Sequence, residues 1–190
     1  MRLFTGFWPP DRALDDLSAA LDALSPRAWS EATAGLTKFR LVPRERWHVT
    51  LCFHGDDAEP ESLGAELDRA VAGGGLRAPR LRLARSGVFR GVLWVGCEPA
   101  EGTDGEALRA LARAAGADPR SYRAHVTIGR WRSGRADARR LGGLLGEYAG
   151  PWWSVDEVAL ISSEQRGGAR IYRPVHRRSL PGAGDVTGSG

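Results

Sequence analysis

The 190-residue chain lacks several sequence features that would by themselves indicate a class of function. Its two cysteines, Cys52 and Cys97, match no zinc or redox spacing, so we expect a protein of the reducing cytoplasm. No apolar run approaches the ~20 residues of a membrane span, and the first residues lack the pattern of a secretory signal. Net charge is only +4, from 27 basic and 23 acidic residues. These shortages leave a compact soluble protein with no membrane as partner.

Histidine is also scarce, and the placement of the four histidines is the most informative feature of the chain. Two of them begin the same tetrapeptide pattern, in His48-Val49-Thr50-Leu51 and in His125-Val126-Thr127-Ile128. The similarity extends upstream, where Pro43-Arg44 and Pro119-Arg120 precede the two copies at nearly the same distance. Two chance hits of this kind among four histidines have a probability of about 1 % before the apolar flanks are counted. We interpret the repeat as an internal duplication.

Each tetrapeptide is β-branched and apolar around its polar pair, which predicts a short strand. In a strand, residues i and i+2 point to the same face. His48 and Thr50 therefore share one face, while the apolar residues between and after them point into the core. The same alternation holds for His125 and Thr127. If the two strands are neighbours, two imidazoles and two hydroxyls converge on one cleft.

Imidazole and hydroxyl groups at this spacing indicate acid/base chemistry on a phosphodiester. Imidazole titrates near neutral pH, so one copy can take a proton from a nucleophile while the other gives a proton to the leaving oxygen. Hydroxyls can donate hydrogen bonds to anionic oxygens. The candidate catalytic residues are therefore His48, His125, Thr50 and Thr127, with no metal required. The alternative is a pair of half-buried strand histidines that only bond to nearby carbonyl groups.

The paired motifs resemble the H-x-T-x signatures of the two-histidine (2H) phosphoesterase superfamily. Within it, the chain is most similar to the bacterial and archaeal RNA 2′,3′-cyclic phosphodiesterases, also called LigT-like or 2′-5′ RNA ligase proteins. Leu is more usual in that family in place of His54, and Pro in place of Ala124. The resemblance runs from Met1 to about Leu180. It is carried by residues 2–10, 42–55 and 122–130.

The resemblance implies an α+β fold that is bilobal, with pseudo-two-fold duplicated lobes whose antiparallel sheets line a central groove and whose helices lie outside. Residues 1–180 would form this single domain, and the Gly-rich residues 181–190 a disordered tail. The implied reaction opens RNA 2′,3′-cyclic phosphate ends to 2′-phosphates without metal or other cofactor. A reverse reaction that joins a 2′-phosphate-related end to a 5′-hydroxyl RNA would give 2′-5′ RNA ligation. His48 would be the proton donor and His125 the base that activates water. Two nearly equivalent copies leave this orientation open from sequence alone.

Strands and helices alternate along the chain. Strands are predicted at residues 3–8, 38–42, 47–53, 81–89, 92–97, 125–131, 153–163 and 170–179. Helices are predicted at residues 10–24, 61–72, 105–115 and 136–148. The rest of residues 25–45 is predicted to be irregular, and tight turns are expected at Arg90-Gly91 and Gly167-Gly168.

Four further residues are candidates for binding substrate. Arg130 follows the second motif as H-x-T-x-x-R, and the resemblance implies a phosphate contact. Strict alternation would put Arg130 on the face opposite the histidine unless the strand contains a bulge. Tyr122 and Trp47 flank the motifs and could stack on a base, with core packing the alternative for Trp47. His54 shares the parity of the first motif, which would place it at the mouth of the cleft or at a strand-end surface.

Seven arginines against one acidic residue lie in residues 120–140, around the second motif. A basic rim at this place would attract the phosphates of RNA. Lys38 is the only lysine, so arginine could equally stand for lysine throughout the chain.

Other function classes compete with the RNA phosphodiesterase. One is a non-catalytic module that binds RNA or a nucleotide, in which either histidine can be replaced without loss of function. Another is a metallohydrolase with His48 and His125 as ligands, for which the sequence offers no nearby Asp, Glu or third His at ligand spacing. A 2H phosphodiesterase of small cyclic nucleotides fits the same chemistry. The expected partner is RNA with a 2′,3′-cyclic phosphate end, or a related nucleotide, bound by a monomer.

Overall fold

In the part of the chain that the structure describes, nine strands form one antiparallel sheet. The computed structural model describes residues 2–89, 91–167 and 169–182. The strands are β1 (Arg2–Phe7), β2 (Arg40–Leu41), β3 (Val49–Gly55), β4 (Arg80–Phe89), β5 (Val92–Pro99), β6 (His125–Arg130), β7 (Trp153–Ser154), β8 (Glu157–Arg166) and β9 (Ala169–Ser179). The helices in these residues are α1 (Asp11–Asp22), α2 (Pro26–Ala32), α3 (Pro60–Ala72), α4 (Gly102–Ala114) and α5 (Ala138–Gly143), with a single 3-10 turn at Arg44–Arg46.

The strand order divides the sheet into two matching halves. One half has the order β7-β4-β5-β6 and the other β3-β1-β8-β9, with β2 paired to β6 off this path. Strands β6 and β3 carry the two tetrapeptides and meet at the centre, where Val49 pairs with Val126. The α+β fold with two pseudo-symmetric lobes is therefore confirmed, and the lobes are halves of one continuous sheet.

The helices cover one face of this sheet, and the main hydrophobic core lies between them. Helix α1 shows why: its leucines recur every three or four residues, so they form one apolar stripe toward the sheet. From the sheet side, Val49 and Val126 point into the same core and are completely buried. The opposite face has a small apolar cluster of Phe4, Ala159 and Ile161. The two motifs are thus supported from behind by packed apolar side chains.

Most predicted elements are confirmed to within a few residues, but two helices differ, and the strand predicted at residues 153–163 is two strands, β7 and β8, in opposite halves of the sheet. Helix α2 lies in a stretch predicted to be irregular. Ser25 caps it by accepting a hydrogen bond from the amide of Ala28 at 3.1 Å, and Pro26 takes the first helical position, where its missing N–H costs nothing. Helix α5 has six residues instead of the thirteen of the predicted range 136–148, because glycines at 142, 143 and 146 disfavour helix there.

The chain stays attached to the sheet slightly beyond the predicted boundary at residue 180. The amide of Leu180 donates to the carbonyl of Asp156 at 2.8 Å, and the carbonyl of Pro181 accepts from Ala78 at 3.0 Å. The predicted disorder of the rest of the tail concerns residues 183–190, which lie outside the described residues. So do one residue of each predicted turn, Arg90 and Gly168. Among the helices described, none is long and apolar enough to span a membrane.

Candidate active site

The two motif histidines are held in the same way. His48 Nδ1 lies 2.7 Å from the carbonyl oxygen of Arg46, and His125 Nδ1 lies 2.7 Å from that of Arg123. A carbonyl oxygen only accepts hydrogen bonds, so Nδ1–H is the donor in both rings, and the neutral ring keeps its lone pair on Nε2. The bonding to carbonyl groups expected in the alternative interpretation therefore occupies one nitrogen only. Within the described residues, Nε2 of either ring has no partner and is free for chemistry.

Each motif strand contains a bulge directly after its threonine. In β3 the extra residue is Leu51, at a register shift in the pairing with β1. In β6 the extra residue is Ile128, at a register shift in the pairing with β5. These two residues hold the same place in the two tetrapeptides. A bulge reverses the alternation of faces beyond it, so the residue three places after each threonine returns to the histidine face.

The bulge in β6 brings Arg130 to the histidine face. The sequence prediction required such a bulge for a phosphate contact by Arg130, and the structure contains it. The positive charge of Arg130 lowers the pKa of both His48 and His125, so its guanidinium lies near both rings. Arg40 of the short strand β2 is paired directly opposite Arg130. Arg130 is thus placed to meet an anion held between the two imidazoles.

The corresponding position of the first copy holds Phe53, five residues after His48 as Arg130 is five residues after His125. Its side chain is 76 % exposed, and its ring centroid lies 5.9 Å from that of Phe4. An exposed ring at the edge of a cleft is a surface on which a base can stack. Sequence reasoning missed Phe53, although superposing the two copies residue by residue aligns it with Arg130.

The threonine hydroxyls are available on the same face. Thr50 and Thr127 are each half-buried, and neither hydroxyl has a hydrogen-bond partner within the described residues. Thr50 pairs with Gly6 of β1, which has no side chain to cover it. A Cβ atom at Gly6 would lie 2.4 Å from the carbonyl oxygen of Val49, so only glycine permits this close approach of β1. Both hydroxyls can therefore donate to a bound oxyanion.

Aromatic rings border both imidazoles. The centroids of Phe4 and Tyr172 lie 4.9 and 4.7 Å from that of His48. Those of Phe89 and Trp94 lie 5.2 and 6.3 Å from the ring of the second motif. These rings come from β1, β9, β4 and β5, far from the motifs in sequence, so no local pattern could have selected them.

Burial makes both imidazoles difficult to protonate. The pKa of His48 falls from its ordinary 6.5 to about 4, chiefly because the ring is withdrawn from water, and the charges of Arg130 and His125 add to this. Its hydrogen bond to the carbonyl of Arg46 acts in the opposite direction. The pKa of His125 is lowered as well, first by burial and then by Arg130. Without a bound anion both rings are neutral near pH 7, and a phosphate between them would favour the protonated form.

The two residues predicted to stack on a base, Trp47 and Tyr122, both make contacts within the protein. Trp47 is 4 % exposed and packs in the main core, and its Nε1 donates to the carbonyl of Val42 at 2.9 Å. The prediction that Trp47 stacks on a base is therefore wrong, and its core alternative holds. Tyr122 donates its hydroxyl to the carbonyl of Thr50 at 3.0 Å, and burial raises the pKa of that hydroxyl. Its ring lines a pocket beside His125.

His54 faces the other side of the sheet. The prediction assumed that side chains alternate strictly between the two faces after His48. The bulge at Leu51 reverses this alternation, so that Phe53 and not His54 lies on the cleft face. His54 Nε2 lies 2.8 Å from Oγ1 of Thr5. Burial lowers the pKa of His54, while the nearby charge of Glu66 in α3 opposes this, so the ring lies toward the helices. The prediction of His54 at the mouth of the cleft is wrong.

The arginines of residues 120–140 do not act as one surface. Arg120 and Arg123 line the pocket beside His125, and Arg130 reaches the cleft. Two later arginines belong to α5, on the helical side. The basic rim predicted from composition therefore contributes only part of its charge to the cleft.

The assembled cleft contains two imidazoles with free Nε2 atoms, two hydroxyl donors and a guanidinium. Among the described residues, no group of three or more His, Cys, Asp or Glu side chains is placed to hold a metal ion. Paired groups that take and give protons, with neutral and cationic donors between them, are the equipment of a phosphoesterase.

The chain belongs to the 2′-5′ RNA ligase superfamily, whose family model matches residues 9–167. This is a superfamily of 2H phosphoesterases, and membership supports an enzyme with phosphodiesterase activity. No curated protein matches the chain.

Solved structures share the fold. The protein TT0787 of Thermus thermophilus is 24 % identical with a TM-score of 0.62, over 96 % of this chain and 100 % of that one. LigT of E. coli complexed with ATP is 20 % identical with a TM-score of 0.66, over 95 % of this chain and 98 % of that one. The same protein complexed with 3′-AMP is 22 % identical with a TM-score of 0.62, over 95 % of this chain and 98 % of that one. At these sequence identities, the similarity shows that this chain and the solved structures share a fold.

Proposed function

We propose that the protein hydrolyses 2′,3′-cyclic phosphate ends of RNA to 2′-phosphates by a metal-independent, two-histidine mechanism. The observation that carries the proposal is the matched pair of Nδ1–carbonyl bonds, which present both Nε2 atoms to the cleft. Arg130, whose charge acts on both rings, supports a phosphate bound between them. The complexes of E. coli LigT with ATP and 3′-AMP support a nucleotide as the ligand.

In this mechanism His125 Nε2 takes a proton from water as the water oxygen attacks phosphorus. The bond between phosphorus and the 3′ oxygen breaks, and that oxygen receives a proton from His48. The 2′ oxygen keeps the phosphate. Thr50 and Thr127 donate hydrogen bonds to the non-bridging oxygens, and Arg130 balances their charge. The assignment of donor and base follows the family resemblance, since the two local frames are nearly identical.

The stacking surface of Phe53 supports a nucleoside next to His48. Its exposed ring lies at the position equivalent to Arg130, on the His48 side of the cleft, in contact with Phe4. A base that stacks there would leave its ribose 2′ and 3′ oxygens toward the imidazoles. Stacking contributes on the order of 1–3 kcal/mol per base and accepts any base, which fits an enzyme of RNA ends.

The test is a substrate panel with histidine variants. We expect His48→Asn and His125→Asn each to lower kcat by about 10²–10⁴ on an oligonucleotide with a 2′,3′-cyclic phosphate end, with the fold retained. Phosphorus NMR should identify a 2′-phosphate product, and excess EDTA should leave turnover unchanged. His54→Gln is the matched control, because it keeps a hydrogen bond to Thr5 away from the cleft, and its turnover should equal the wild type.

Wild-type turnover by either histidine variant would contradict the acid/base assignment and favour a non-catalytic module that binds RNA or a nucleotide. Loss of activity in EDTA with recovery on zinc would favour a metallohydrolase. Activity confined to cyclic mononucleotides would place the enzyme among phosphodiesterases of small nucleotides.

A further inference from the structure

Two arginines stand directly opposite each other at one end of the cleft. Arg40 of β2 is the cross-strand partner of Arg130 of β6, and both side chains are exposed. Like charges in directly opposed positions of an antiparallel pair repel each other. Within the described residues, neither guanidinium forms an ion pair or a side-chain hydrogen bond. The two segments that carry the pair, residues 32–44 and 119–136, contain no Asp or Glu. The arginine pair is therefore free to hold an anion from outside the chain.

The packing of its neighbour directs Arg40 to the cleft. Phe39 belongs to the main core and lies against Gly129, where a Cβ atom would come within 3.1 Å of Phe39 Cζ. Successive residues of an extended chain point to opposite faces, so Arg40 points away from the core. Residues paired across two strands share a face, and Arg130 already lies on the face of the histidines. Arg40 is thus a second cation on the cleft face, which the motifs did not indicate.

The strand pairing also decides on which side of the cleft Arg40 lies. Strand β5 occupies one edge of β6 along its whole length, from Arg130 to His125. Strand β2 therefore takes the other edge, which β3 holds further along at Val126. Since β3 begins directly after His48, Arg40 lies on the His48 side of the cleft.

Arg40 does not share the position of Arg130 relative to the imidazoles. The charge of Arg130 acts on the pKa of both His48 and His125, whereas that of Arg40 acts on neither. The guanidinium of Arg40 is therefore farther from the two rings and from a phosphate between them. Arg130 is placed for the reacting phosphate, and Arg40 is placed for a second anion next to it.

We propose that Arg40 binds the phosphate on the 5′ oxygen of the nucleoside whose cyclic phosphate reacts between the histidines. The inference rests on the proposed function, which places the 3′ oxygen of that nucleoside at His48. The 3′ and 5′ carbons of a ribose are bonded to one and the same carbon, so the 5′ phosphate leaves the sugar on the side where Arg40 lies. In a chain that ends in a cyclic phosphate, this is the only neighbouring phosphate. The planar fork of guanidinium donors suits its oxygens.

This contact makes Arg40 a determinant of specificity. A nucleoside 2′,3′-cyclic phosphate with a free 5′ hydroxyl offers Arg40 nothing, while an RNA end or a 5′-phosphorylated nucleotide offers it an anion. The 5′ phosphate keeps its charge and bonds throughout the reaction. Its contact is therefore equally strong in the ground state and the transition state, and it should affect KM and leave kcat unchanged.

The experiment uses the full-length protein and two substrates that differ by one phosphate: adenosine 2′,3′-cyclic phosphate without and with a 5′-phosphate. We expect the wild type to prefer the 5′-phosphorylated substrate in kcat/KM. Arg40→Gln should lower kcat/KM for that substrate by about tenfold or more, through KM, and leave the other within about twofold. Arg40→Lys keeps the charge without the fork and should retain part of the preference. Arg130→Gln should damage both substrates.

The matched control is Arg69→Gln, which removes the same charge from an exposed arginine of α3 on the helical side, also without an ion pair in the described residues. It should change neither substrate. A second measurement needs no turnover: calorimetry with 2′-AMP and with adenosine 2′,5′-bisphosphate should show tighter binding of the bisphosphate by the wild type, and this difference should be lost in Arg40→Gln. The Tm of Arg40→Gln should not fall, because the substitution removes one of two opposed cations.

Equal losses on both substrates in Arg40→Gln would place the residue at the reacting phosphate or in the support of the fold, and no loss on either would make it a solvated side chain. Each of these results overturns the assignment. If the wild type opens both substrates with equal kcat/KM, the inference fails and the proposed function stands. If the wild type opens no cyclic phosphate, in RNA or in either nucleotide, both fail together.

Discussion

At the scale of single residues, the two imidazoles combine matched geometry with different surroundings. Each ring donates from Nδ1 to a carbonyl at 2.7 Å. The ring of His48 is bordered by Phe4 and Tyr172, and burial there brings its pKa to about 4. A proton on His48 is therefore costly in the free enzyme and becomes favourable when an anion arrives. If His48 is the donor, as we propose, substrate binding and protonation of this residue are coupled.

This coupling predicts the pH dependence of the reaction. The profile of kcat/KM reports the free enzyme and should be bell-shaped, with both limbs given by the histidine pair. Since burial lowers both pKa values, the maximum of kcat/KM should lie below pH 6.5 and its acid limb near pH 4. The profile of kcat reports the bound state, and its maximum should lie closer to neutrality because the phosphate raises both pKa values. The measurement is initial rate against pH on one cyclic phosphate substrate.

A maximum of kcat/KM above pH 7 would contradict this interpretation of the site. It would mean that the rings titrate as solvated histidines in the free enzyme. The His54→Gln variant should give the same profile as the wild type, because His54 faces the helices.

At the scale of the strand, the paired bulges decide which residues reach the cleft. Each follows a threonine and reverses the alternation, so Arg130 in β6 and Phe53 in β3 join the histidines. One copy thus contributes a cation and the other an aromatic ring at the same position. The two copies therefore place matched histidines at the centre of the sheet and unlike side chains, a guanidinium and an aromatic ring, beside them.

We expect Arg130→Gln to lower kcat by about 10–10³, by comparison with the loss of other donors to a reacting oxyanion. The charge of Arg130 lowers the pKa of both histidines, so its removal should also move the maximum of kcat/KM to higher pH. Arg132→Gln is the matched control, because it lies two residues later, exposed and beyond the end of β6. The measurement is the full pH profile of both variants. A fall in kcat with an unmoved profile would mean that Arg130 acts on structure and not on the cleft.

The sequence predicted which side chains share the histidine face of the sheet, because alternation in a strand is a local rule. Alternation in a strand placed each histidine with its threonine, and helical spacing identified α1 and α3. It could not place His54 or Phe53, because a bulge depends on the partner strand and leaves no signature in the motif itself. Trp47 had two sequence interpretations, and burial decided between them. The rings around His48 come from strands at the two ends of the chain, so only the fold brings them together.

At the scale of the whole molecule, the positive charge is unevenly distributed. The net charge is +4, yet Arg120 and Arg123 line the pocket beside His125 and Arg130 lies near both imidazoles, so cations extend from the pocket into the cleft. An oligonucleotide that follows this path meets several cations, whereas a cyclic mononucleotide meets few. The same protein should therefore respond to salt differently with the two substrates.

We expect log(kcat/KM) for an oligonucleotide to fall steeply with log salt and that for a cyclic mononucleotide to fall weakly. Replacing Arg120 by Gln should reduce the oligonucleotide slope by about 0.7, the value for one single-strand phosphate contact. Arg27→Gln in α2 is the matched control, since Arg27 is exposed and paired with Glu31 outside the pocket. Equal slopes for the two substrates would show that the arginines are an ordinary solvated surface.

The order of strands in the sheet also sets an order of events during synthesis. Strands β4 to β7 are consecutive in the chain, so the half that carries His125 can close once residue 154 has left the ribosome. The half that carries His48 cannot, because β1 pairs with β8, joining Gly6 to Ala159 across most of the chain. Until β8 emerges, β1 has an open edge that other chains can pair with. The half that holds the proposed proton donor is therefore the last to complete its sheet and is exposed longest to wrong pairing.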